Sequence, residues 1–197
     1  MSRNVQKRMR RLTLLVCSAA LLACVGIGAS FAYLTNQDTV TNSFTVGSVA
    51  ITLDEAAVNA DGTRIEGAER VQANEYHLIP GRSYTKDPTV HVGDTSENCY
   101  LFVEIENGIA EIEASGNGTI AAQLAANGWT AVAGETNVYA YSTVAQAGDD
   151  LLLFASFTVG SDADVSDFAE ETIEITAYAI QAEGFADAAT AWAAIGA

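Results

Sequence analysis

Basic charge is scarce in this 197-residue chain: nine Lys and Arg stand against 25 Asp and Glu, a formal net charge of −16. A surface this acidic repels phosphate backbones, which excludes nucleic-acid binding. Histidine and cysteine are scarcer still, at two and three residues. Neither histidine sits in H-E-x-x-H, the helical spacing that would put two imidazoles and a Glu base beside one zinc ion. There is no G-x-S-x-G nucleophile elbow and no phosphate-cradling glycine loop. Enzyme activity is therefore not expected. Charged residues make up 17 % of the chain and apolar ones 49 %, which fits a packed globular protein and excludes a disordered acidic tail.

The little basic charge there is gathers at one end. Arg3, Lys7, Arg8, Arg10 and Arg11 fall in the first 11 positions, and no acidic residue precedes Asp38. An uncharged apolar stretch follows at residues 12–28 (LTLLVCSAALLACVGIG). Then comes Ser30-Phe31-Ala32, which sets small residues before a cleavage site between Ala32 and Tyr33. Residues 1–32 thus read as an export signal helix, and contact with a membrane is expected only through it. Two other readings compete. The stretch reaches the lower bound for spanning a bilayer, so it could stay as an uncleaved anchor. Leu21-Leu22-Ala23-Cys24 loosely fits a lipobox that would place lipid on Cys24, although the apolar run continues past that residue.

Removal of residues 1–32 leaves 165 residues carrying four basic and 25 acidic side chains, a net charge of −21. That length suits one domain with its own core. Only Cys99 remains, so no internal disulfide can form. Its apolar-phase position in a strand pattern predicts a buried structural thiol.

Strand patterns dominate the rest. Residues 43–53 (SFTVGSVAITL) alternate, with the apolar phase switching at Gly47, which predicts a bulge or kink there. Residues 89–92 form a short strand. Residues 99–106 (CYLFVEIE) place Cys99, Leu101, Val103 and Ile105 inward. Strands follow at 137–142, 151–159 and 172–180. The middle of 151–159 is apolar on both faces, as in a central strand covered on both sides. Ile173, Ile175, Ala177 and Ala179 form one face of the last strand. Helices are predicted at 119–126, stopped by Asn127-Gly128, and at 186–195, with Ala188, Trp192 and Ile195 in one stripe. The pattern predicts an all-β fold, a jelly-roll-like β-sandwich with short helices, preceded by the signal helix. Its divisions are residues 1–32, an N-terminal segment at 33–53, and the sandwich at 54–197.

Acidic clusters are the remaining candidate sites. Asp162, Asp164 and Asp167, with Glu170 and Glu171, gather carboxylates between two strands and form a weak candidate Ca²⁺ site. A solvated acidic loop is the simpler reading, and no other cofactor is expected.

The signal junction is more specific. Residues 26–35 (GIGASFAYLT), then Asp38 and Asn42-Ser43-Phe44-Thr45-Val46-Gly47, resemble the TasA/camelysin family of secreted proteins. Leu78-Ile79-Pro80-Gly81 leading to Lys86-Asp87-Pro88, and residues 175–181 before Gly184-Phe185 and Ala191-Trp192, resemble its central and closing segments. The resemblance implies export by a signal peptidase of SipW type and residence in the extracellular matrix or on the surface of a Gram-positive-type bacterium. It also implies a subunit of biofilm-matrix fibres. Assembly there uses donor-strand exchange, each copy partnering the next head to tail. The donor strand would include Phe44, Val46, Gly47, Val49, Ile51 and Leu53. Such a strand can add to an open sheet edge through main-chain hydrogen bonds, although pairing within its own chain is the simpler alternative.

Two further readings are weighed against the fibre subunit. A monomeric or lipid-anchored surface binding module would use Tyr76, Tyr84, Tyr100 and Trp129 as an aromatic contact surface. A secreted metallopeptidase would need His77 and His91 to converge on a metal.

Overall fold

Nearly all regular structure is β-strand, with every pairing antiparallel. The computed structural model describes residues 48–168 and 170–195. The chain divides into two units, Met1–Thr45 and Val46–Ala197, and the first lies outside the described residues.

Strand β1 (Ile51–Asp54) pairs with β3 (Thr89–Val92), and β3 pairs on its other side with β7 (Asp150–Leu152). A second ladder joins β2 (Ser83–Thr85) to β8 (Ser156–Thr158). The third sheet has the order β5-β6-β4-β9. It is built from β4 (Cys99–Asn107), β5 (Trp129–Ala131), β6 (Val138–Tyr141) and β9 (Ile173–Gln181). Side chains from all three sheets meet in one core, including Val90 and Val92, Tyr84 and Phe157, and Leu101 and Val103.

Alternation in β4 is as expected: Cys99, Leu101, Val103 and Ile105 are all buried. Its opposite face is not left to water. Phe102 is also fully buried, because α2 (Ala188–Ile195) lays Trp192 on it at 5.1 Å between ring centroids. Asp187 starts that helix by accepting a hydrogen bond from the Thr190 N–H. Helix α1 (Ile120–Ala126) begins at Thr119, whose hydroxyl accepts from the Ala122 N–H. It ends at Asn127-Gly128, where Gly128 takes φ +87°, a conformation costly for any side chain bearing a Cβ.

Three sequence expectations need correction. The predicted central strand at 151–159 is two strands. Its ladder against β2 and β3 breaks at 153–155, where Lys86-Asp87-Pro88 lies opposite and Pro88 has no N–H to donate. Single bonds carry the chain across the break: Leu153 N–H to Pro88 O and Lys86 N–H to Ala155 O. The run is apolar on both faces because Leu153 and Phe154 cross the core, each fully buried. Of the strand predicted at 43–53, only Ile51–Asp54 is strand among the described residues. The kink at Gly47 falls outside them. Strands β2 and β5, three residues each, went unpredicted because so short a run shows no period.

Candidate functional site

Strand β9 is the longest exposed edge among the described residues. It pairs with β4 over nine residues, and no described backbone group bonds to its other side. The hydrogen-bond phase follows from the register. Ile105 of β4 donates its N–H to Asn137 O, on the β6 side, so odd-numbered residues of β4 face β6 and even-numbered ones face β9. The pairs Tyr100↔Ile180 and Glu104↔Thr176 therefore carry the β4–β9 bonds. Beyond the strand ends, Gly108 N–H to Thr172 O and Ala182 N–H to Asn98 O keep the same phase. The main-chain groups of Ile173, Ile175, Ala177, Ala179 and Gln181 thus face the open edge.

The edge of β1 lies across a gap from β9. A cavity of about 390 Å³ there is lined by Ile51, Leu53, Pro88, Ile173 and Ile175. At Glu55, Gln72, Lys86 and Ile173 it adjoins a larger cavity of about 690 Å³, walled by Tyr76, Phe157 and Phe168. Ile51, Leu53, Ile173 and Ile175 are only half-buried, so this side of the core is incompletely covered.

A cluster of charges holds the end of β1. Lys86 Nζ donates to Glu55 Oε2 at 2.6 Å, with the two side chains only 10 and 5 % exposed. Asn74 donates to the other Glu55 oxygen at 2.8 Å. Arg70 pairs with Asp54 and Asp87 and donates to the main-chain oxygens of both. His91 bridges two strands: Nε2 lies 2.9 Å from Asp54 on β1, and Nδ1 lies 2.5 Å from Asp150 on β7. Burial alone would lower the His91 pKa, but hydrogen bonds to Asp150 and Asp54 hold it above its usual 6.5. Burial would likewise raise Asp54, and Arg70 and His91 together hold it below its usual 3.8. Arg64 pairs with Asp87, and Arg82 with Asp61. All four basic side chains that follow residue 32 are thus engaged by carboxylates.

No family model, no curated protein and no solved structure matches this chain.

The sequence-predicted residues are distributed unevenly. Ala32, Tyr33, Phe44, Val46 and Gly47 lie outside the described residues. Val49 is half-buried against the core, and Ile51 and Leu53 pair with Val92 and Val90 of their own chain. Asp162 and Asp167 are exposed, and so is Asp164, whose carboxylate accepts from the Ser166 N–H and is held below its usual range by that turn. Among the described residues, no group of three or more His, Cys, Asp and Glu side chains is arranged to hold a metal ion. Both ring nitrogens of His91 are taken by carboxylates, and His77 is not among its partners. The aromatic contact surface does not form as drawn: Tyr84 and Trp129 are core residues at 0 and 1 % exposure. Tyr76 packs edge-on against Tyr84 and Phe157. Cys99 is buried, which pushes its thiol pKa up and makes it a poor nucleophile.

The charge cluster was missed. One signal pointed to it: after residue 32, every Lys and Arg lies between positions 64 and 86.

Proposed function

We propose that this protein is a secreted structural subunit of extracellular fibres, a jelly-roll-like sandwich that polymerises by donor-strand exchange of its N-terminal segment. The observation that carries this reading is the nine-residue open edge of β9 beside a half-covered apolar gap. A long exposed edge with an apolar inner face is a template for another strand, and soluble proteins ordinarily protect such edges. Here the protection is slight: Glu174 and Thr176 lie on the outer face and nothing described covers the edge. Adding one strand per copy, head to tail, gives an open filament rather than a closed ring. The resemblance at the signal junction supports the same reading, with export through a SipW-type peptidase and location in the matrix or at the cell surface.

Deleting residues 33–47 tests it without touching β1. The secreted wild-type protein should form filaments under the electron microscope, and the shortened one should stay dispersed with an unchanged melting curve. Filaments from the shortened protein would refute donor-strand assembly.

A further inference from the structure

Donor-strand assembly leaves open which edge receives the strand and whether β1 itself leaves its own copy. We infer that β1 stays, and that residues 39–47 of a second copy add to the open edge of β9. This rests on the fibre-subunit reading and names the two surfaces that would meet.

The first step is the anchoring of β1. Its last residue, Asp54, is fixed by Arg70 and His91, and the next, Glu55, by Lys86 and Asn74. Glu55 and Val71 also exchange both main-chain bonds, at 2.8 and 2.7 Å. Peeling β1 away would break these ion pairs together with its four-residue ladder to β3. The same contacts occupy the outer edge of β1 at its C-terminal end. The β9 edge carries no such cover.

The second step is the fit of the occupant. Residues 39–47 read Thr-Val-Thr-Asn-Ser-Phe-Thr-Val-Gly, with Val40, Phe44 and Val46 in one phase and Thr39, Thr41, Ser43 and Thr45 in the other. That is the pattern of a strand with one apolar and one polar face. Nine residues span roughly 30 Å, the same length as β9. Laid along β9, the apolar phase would cover Ile173 and Ile175 and close the gap toward Ile51 and Leu53. The segment bears no charge, so the acidic surface does not oppose it.

The third step is direction. Ser48 accepts from the Glu97 N–H, close to where Asn98 bonds Ala182 at the end of β9. At its other end β1 meets the gap at Asp54, near Ile173. Returning residues 39–47 along the same copy's β9 would need a chain reversal at 47–48. Straight continuation carries the segment to another copy.

The experiment uses the processed protein with a synthetic nonapeptide of residues 39–47, followed by residue-resolved amide hydrogen exchange. Binding should slow exchange at Ile173, Ile175, Ala177 and Ala179, whose N–H groups face the edge. Their even-numbered neighbours, already bonded to β4, should change little. Ala177→Pro removes one edge-facing donor without removing a β4 bond, and should weaken peptide binding roughly five- to thirty-fold. Should that variant not fold, two peptides N-methylated at even or at odd positions replace it, and one of them alone should lose binding. No slowing at the odd-numbered β9 amides overturns the inference. So does loss of protection in β3, which would mean that β1 had swapped. A wild-type monomer whose odd-numbered β9 amides are already slow also overturns it, because the segment would then fold back on its own copy. Filaments with an unprotected β9 edge would defeat this assignment alone. Peptide docking on β9 without filaments would defeat the fibre reading alone.

Discussion

Replacing Lys86 by Met should be the most damaging single change to the charge cluster. Lys86 Nζ lies 2.6 Å from Glu55 Oε2, and at 10 and 5 % exposure neither side chain is well screened by water. Met retains most of the apolar stem that Lys86 packs into the core boundary, so the loss is electrostatic rather than volumetric. It leaves the Glu55 carboxylate at the floor of the gap with Asn74 as its remaining side-chain partner. Breaking a buried pair from one side costs about 3–5 kcal/mol. An exposed pair such as Arg82–Asp61, at 36 and 48 % exposure, contributes about 0–1 kcal/mol. For a domain of this size the first figure corresponds to a fall in Tm of roughly 6–20 °C. Thermal and urea denaturation followed by circular dichroism would measure it, with Arg82→Gln as the exposed control. The double variant Glu55→Gln/Lys86→Met should recover much of the loss, because the amide oxygen still accepts from Asn74 and no charge is left buried. A Lys86→Met protein within about 1 kcal/mol of wild type, or no more affected than Arg82→Gln, would refute the reasoning.

The His91 bridge predicts a pH dependence of definite sign. With its folded pKa raised, its stabilisation is complete below the unfolded value of 6.5 and is lost as pH rises through the folded value. Asp54, held below 3.8, contributes above that value and loses its share as pH falls through its folded pKa. Tm should therefore decline between about pH 6 and pH 9, and His91→Gln should flatten the slope; a wild-type Tm constant over that interval rejects the bridge. Gly62→Ala should destabilise by more than about 1 kcal/mol, since Gly62 has φ +80° and a Cβ there would stand 2.8 Å from Tyr84 Cα. Gly67→Ala, at φ +72° with nothing within 4 Å, isolates the backbone contribution, and equal losses in urea melts would dismiss the clash with Tyr84. Filament yield, read by light scattering, should rise with salt or divalent cations that screen the net charge of −21; yield indifferent to ionic strength would count against charge-limited assembly.

Local pattern accounts for what could be read in advance. Strands β4 and β9 and helix α1 were legible because each pairs a clear period with its own stop signals, as at Asn127-Gly128. The break at 153–155 was not, since it depends on Pro88, which lies opposite only after folding. The charge cluster was equally hidden. Lys86 and Glu55 are 31 positions apart, and His91 and Asp150 are 59 apart. The openness of β9 is topological: β9 closes onto β4 rather than onto the preceding β8, and no local sequence feature of residues 173–181 says which neighbour it takes.

Charge placement and strand placement point the same way. After residue 32 the chain has four cations, and all of them serve ion pairs among residues 54–87, two of those pairs holding Asp54 and Glu55 at the end of β1. The surface beyond them carries carboxylates without partners, so two copies repel over most orientations. Residues 39–53 are uncharged, bounded by Asp38 and Asp54. Of that stretch, Ile51 and Leu53 are already committed to β3, which leaves residues 39–47 as a neutral strand adjoining an anchored one. An acidic subunit can approach another along such a strand at little electrostatic cost. The anchor keeps β1 in place and its apolar residues facing the gap that the incoming strand would close.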